Sequence, residues 1–162
     1  MNSRWTRMVF FAVLLSLAGS YGCKNASREA PGAVPDMISE HANVRKALDS
    51  FFHAVDKRDW KTVEDVLAPD FHFYGDDLMV LDRLQFIDAM RADDMKIDKL
   101  DLKDVTINLS PDGQMAWATY RAHLESTMRN SPYNMDSAET VVLRKEQGNW
   151  KLTHNHASVK KL

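Results

Sequence analysis

The chain has 162 residues, a length that fits one domain. Basic and acidic residues nearly balance, 21 Lys and Arg against 23 Asp and Glu, with no basic run or stripe, which argues against nucleic acid as a partner. No glycine-rich phosphate loop, Gly-x-Ser-x-Gly elbow or Cys-x-x-Cys pair occurs. Nucleotide use, serine hydrolysis and thiol redox chemistry are therefore disfavoured, and no cofactor is implied.

The first element is an export pattern. Arg4 and Arg7 precede the apolar run Met8 to Ala18, too short to span a bilayer as a helix but right for a signal-peptide core. Residues 1–22 read as a cleaved signal peptide, with a retained membrane anchor as the alternative. Residues 23–36, rich in Ala, Pro and Gly, read as a flexible tether, and 37–162 as the folded domain. Cys23 is the only cysteine and has no intramolecular disulfide partner. Its place after Gly22 resembles a bacterial lipoprotein lipobox, although Ser20 and Tyr21 depart from the usual residues. Ordinary signal cleavage would also cut before Cys23. Lipidation is the preferred reading, because the alternative leaves an exposed thiol. It implies a membrane attachment through a lipid on Cys23 and an exported protein of the cell envelope. Lys24 after the cysteine leans toward the outer membrane over a free periplasmic location. The cleaved chain loses Arg4 and Arg7 and no acidic residue, so it is more acidic than the whole.

Asp36 to Asp59 carries apolar residues at helical spacing (Val44, Leu48, Phe51, Val55), with Asp36 or Ser39 as cap. Asp59 caps a second short helix, 60–68, stopped by Pro69. "DFHFYG" and "LMVLD" read as a hairpin, and Asp82 caps a third helix, "RLQFIDAMRADDM". Strands follow. In "KIDKLDLKDVTINLS" Leu100 and Leu102 share one parity while Val105, Ile107 and Leu109 share the other, which predicts a β-bulge near Lys103–Asp104. "MAWATYRAHLESTM" is a long strand and "RNSPYNMDS" a polar loop. "AETVVLRKEQ" and "WKLTHNHASVK" form a hairpin about Gly148–Asn149. This order gives an α+β fold: a bent antiparallel sheet with three helices across its concave face, enclosing a cone-shaped cavity.

The stretches "ALDSFFHAVDKRDWKTVEDVLAPDFHFYG", "MAWATYRAHL" and "ETVVLRKEQGNWKLTHNHAS" resemble the SnoaL-like branch of the nuclear transport factor 2-like superfamily over residues 38–160. The resemblance implies a cystatin-like α+β cone. It also implies a range of roles, since the superfamily holds ketosteroid isomerases, polyketide cyclases and scytalone dehydratase beside binding and assembly domains. No aspartate base with a Tyr/Asp donor pair can be placed by residue matching.

A two-residue Gly148–Asn149 turn pairs Leu143 with His154, Val141 with His156 and Glu139 with Ser158. One face then carries Val141, Leu143, Trp150, Leu152, His154 and His156, and its apolar character points it into the cavity. A three-residue turn would keep the histidines on that face with other partners. The expected pocket is Tyr74, Tyr120, Glu139, Ser158 and that apolar face. Three readings follow. His154 and His156 are polar pocket wall for a small apolar or amphipathic ligand. Alternatively one is the base of a lyase or isomerase acting on a small carbonyl or polyketide-like substrate, oriented by Glu139 with Tyr74 or Tyr120 as donor. Alternatively the domain is an assembly module, a homodimer through its open sheet. No metal is expected: His123 and Glu125 could add ligands, but His123 shares a face with Trp117 and Arg121, and an arginine disfavours a cation.

Overall fold

The computed structural model describes residues 36–92 and 95–162. The signal peptide, the tether up to residue 35 and Cys23 lie outside the described residues.

Helix α1 spans Met37–Lys57. The Asp36 carboxylate accepts from the backbone N–H of Ile38 and Ser39, and Arg58 ends the helix in a left-handed conformation (φ 54°). Val44, Leu48, Phe51 and Val55 recur every three to four residues, so one buried stripe faces the sheet. Asp59 caps helix α2 (Trp60–Val66) through the Thr62 amide and hydroxyl. The expected α2 runs to Ala68, but Leu67 is already extended (ψ 135°), and strand β1 spans Leu67–Tyr74 through Pro69. Pro69 disfavours a helical Ala68, and Leu67, Ala68 and Phe71 gain burial in the strand instead. A loop leads to β2 (Val80–Asp82). Asp82 then caps α3 (Arg83–Ala92) reciprocally: its carboxylate accepts from the Gln85 amide, and Gln85 Oε1 accepts from the Asp82 amide.

The rest is strand: β3 (Met95–Leu109), β4 (Met115–Met128), β5 (Ser131–Pro132), β6 (Met135–Glu146) and β7 (Asn149–Lys161). The loop expected at 129–137 is shorter, because β5 pairs with β4 and β6 begins at Met135. The sheet order is β2-β1-β7-β6-β4-β3. All neighbours run antiparallel except β1 and β7, which pair in parallel and make the sheet mixed. The β3–β4 register breaks between Lys103 and Thr106, where Asp104 takes φ 55°. That bulge lets Leu100 and Leu102 on one side of it, and Val105, Ile107 and Leu109 on the other, all pack against the core. The register also shifts between Ile97 and Lys99.

The core lies between α1 and the inner faces of β4, β6 and β7, where Leu48, Ala118, Val141, Leu143 and Leu152 are almost wholly buried. Glu40 of α1 accepts from Lys145 Nζ (2.6 Å) and the Trp150 indole N–H (2.9 Å), tying the helix to the β6–β7 hairpin. These donors hold the Glu40 carboxyl below its usual range, Lys145 chiefly.

Candidate functional site

The β6–β7 hairpin decides where the site residues point. Its turn is Gln147–Gly148, not Gly148–Asn149: both turn residues have positive φ (50° and 84°), and Glu146 pairs with Asn149. This is the X-Gly form of a two-residue turn, with glycine second, where the mirror-image turn suits it. Lys145 then pairs Trp150 and Leu143 pairs Leu152. The next pair is Val142 with His154, so Thr153 is an extra residue, its hydroxyl donating to the Val142 carbonyl (3.2 Å). Beyond this bulge the parity of β7 is reversed. Asn155 (4% exposed) and Ala157 turn inward, whereas His154 and His156 pair with the outward Val142 and Thr140.

The shared cavity face expected for His154 and His156 therefore does not hold. His154 is half-buried on the outer face and His156 is exposed there. Tyr74 and Ser158 are exposed on the same outer side, and the Tyr74 ring lies 4.9 Å from the His154 ring. Neither histidine can act as a base inside the cone. Val141, Leu143, Trp150 and Leu152 do face inward, but they fill the packed core and form no part of the chamber wall.

The chamber of about 180 Å³ lies between α1, α3 and the sheet. Phe51, Phe52 and Val55 of α1 wall it on one side, Phe86 and Met90 of α3 on another, and Leu124 and Ala157 of the sheet on a third. Its polar part is one cluster. Glu139 of β6 accepts from the Tyr120 hydroxyl (2.7 Å), the Ser137 hydroxyl (2.7 Å) and Asn155 Nδ2 (3.1 Å). Tyr120 is 3% exposed and meets Phe52 edge-on at 5.3 Å. Burial, reinforced by the Glu139 charge, raises its phenol far above the ordinary range, so it stays a donor. Of the residues expected around a pocket, the structure brings Tyr74, His154 and His156 together in an open groove on the outer face, with Leu78 and Met79, and Tyr120 and Glu139 together beside the chamber. Ser137, Asn155 and the α1 and α3 phenylalanines complete the site.

The signal for Asn155 was present. Trp150 and Leu152 lie on one parity of β7, Ala157 and Val159 on the other, the pattern that locates the β3 bulge.

On the outer face His123 Nδ1 lies 2.7 Å from Asp136 and Nε2 lies 3.3 Å from Glu125. These carboxylates, Asp136 first, raise its pKa above the ordinary value. Burial, then the neighbouring His156 and His72, lower that of His154. Among the described residues no three His, Cys, Asp or Glu side chains are arranged to hold a metal ion.

This fold is shared widely. An NTF2-like protein of unknown function in nutrient uptake from Rhodospirillum rubrum is 23% identical across 78% of this chain and 99% of that one (TM-score 0.62). A ketosteroid isomerase-like protein from Erwinia carotovora atroseptica is 16% identical across 76% and 96% (TM-score 0.62). A CaMKII hub from S. rosetta is 21% identical across 74% and 95% (TM-score 0.62). At these identities the likeness is one of fold. No curated protein matches the sequence. A model of the SnoaL-like domain matches residues 44–160, most of the chain and all the elements that build the chamber, and the chain belongs to that family.

Proposed function

We propose that the domain binds a small apolar or amphipathic molecule in its cone chamber. The carrying observation is the contrast inside the chamber: aromatic and aliphatic walls meet a single hydrogen-bonded cluster, Glu139–Tyr120–Asn155, which is the pattern of sites that bury a ligand body and orient it by a few polar groups. Its volume suits a ligand of about one ring, since an engineered apolar cavity of about 150 Å³ in another protein holds benzene. The signal pattern and Cys23 support an exported, lipid-anchored protein of the envelope, tested by loss of lipid labelling in Cys23→Ser. The binding test is an NMR titration of the purified protein with single-ring compounds. Chamber residues should shift, and Ala122→Leu, which fills the wall of β4, should weaken binding by roughly tenfold or more. Binding that ignores Ala122→Leu would place the ligand elsewhere.

A second reading, pairing of two copies through the outer sheet face, is favoured by Met115 and Trp117. They stand two apart on the outer side of β4, 39% and 45% exposed. Native mass spectrometry tests it: a dimer should appear, and Trp117→Arg should make it a monomer.

A further inference from the structure

The hydrogen bonds of the polar cluster specify what a ligand must bring, given that the chamber is the binding site. The donors of the cluster are spent within it: the Tyr120 hydroxyl, the Ser137 hydroxyl and Asn155 Nδ2 donate to Glu139, and the Asn155 side chain also hydrogen-bonds Tyr120. A carboxylate has roughly four acceptor positions, so these three bonds leave about one open. Asn155 Oδ1 is buried and accepts nothing. Its orientation is fixed by chemistry, because the flipped amide would set Oδ1 against the Glu139 carboxylate, acceptor to acceptor. The cluster thus has an acceptor position to spare on Glu139, while its donors are engaged within it. Glu139 is also the one ionisable side chain among the described residues that line the chamber, and no lysine, arginine or histidine shares the wall with it. The remaining wall includes the faces or edges of Phe51, Phe52, Phe73 and Phe86. Aromatic rings attract a cation and repel an anion at their faces.

We propose that the chamber takes a small organic amine in its cationic form, with a ring-sized apolar body among the phenylalanines and an N–H donated to Glu139. An anionic ligand of the same shape is rejected. It would bring a second negative charge into an apolar chamber, with no free donor to meet it. A neutral alcohol ranks between the two, because it donates one hydrogen bond without charge.

The test is a matched series titrated by NMR into the purified protein: benzylamine, benzyl alcohol, toluene and benzoate, near neutral pH. Benzylamine should bind at least roughly tenfold more tightly than benzoate, the scale of one charge-assisted hydrogen bond. Glu139→Gln should bring the two affinities close together, because it removes the charge that separates the cation from the anion. Should Glu139→Gln fail to fold, a pH series on the unaltered protein replaces it: the advantage of benzylamine over benzyl alcohol should vanish once the pH exceeds the pKa of the amine. If toluene binds but benzoate equals or exceeds benzylamine, the amine proposal is overturned while the chamber remains a binding site. If no member of the series binds, both fall.

Discussion

Tyr120 and the histidines give the clearest single-residue consequences. Burial raises the Tyr120 phenol, so the folded protein keeps this proton where the unfolded chain loses it. The sign follows: the contribution is complete below about pH 10, the usual phenol value, and stability falls as pH rises beyond it. An ultraviolet titration should show one tyrosine that ionises only as the fold is lost, and Tyr120→Phe should remove that signal. The same substitution deletes one of three bonds to Glu139 and should cost about 1–3 kcal/mol in denaturant unfolding. His154 and His123 shift in opposite directions. His154 is lowered, chiefly by burial, so its contribution is present above about pH 6.5 and fades as pH falls toward its folded value. His123 is raised, chiefly by Asp136, so its contribution is present below about pH 6.5 and fades as pH rises through its folded value. Imidazole titration by NMR should find His154 below that midpoint and His123 above it. Asp136→Asn should move His123 down and leave His154 in place.

Among the elements, the two bulged strands show what was legible in the sequence and what was not. The β3 break can be read because apolar residues stand on both sides of it, Leu100 and Leu102 before, Val105, Ile107 and Leu109 after. The helices are equally legible, since Asp36, Asp59 and Asp82 each cap a start with an accepting carboxylate. In β7 the two residues after the bulge pair that continue the old parity are histidines, which pass equally for cavity wall and for surface. Only Ala157 and Val159 mark the change, and small or terminal apolar residues carry a weak burial signal. The candidate site was thus half readable: Glu139 from the hairpin pairing and Tyr120 as a candidate donor, with Asn155 hidden by one extra residue, Thr153. Mutation across the bulge checks this assignment. Leu152→Ala, at a wholly buried position, should cost about 2–5 kcal/mol, whereas His156→Ala, three pairs beyond it on the outer face, should stay within about 0.5 kcal/mol. Equal costs in chemical denaturation would contradict the reversed parity.

At the scale of the molecule, the strand that comes last in the chain is not at the rim of the sheet. β7 lies between β1 and β6, and it reaches β1 across a wide sequence separation, Leu67 with Leu152 and Tyr74 with His156. Parallel pairing over such a distance is slow to form, because loop closure precedes the stabilising contacts. Its arrival also completes the chamber, since Asn155 and Ala157 reach the wall from β7 alone. During synthesis, then, the nascent chain holds its helices and the β3–β4–β6 meander with two unpaired strand edges, β1 and β6, facing each other across a gap. A stop codon ahead of Asn149, where β7 begins, would leave that gap unfilled. The product would be a sticky half-sheet rather than a weakened binder, and it should partition into inclusion bodies or be degraded.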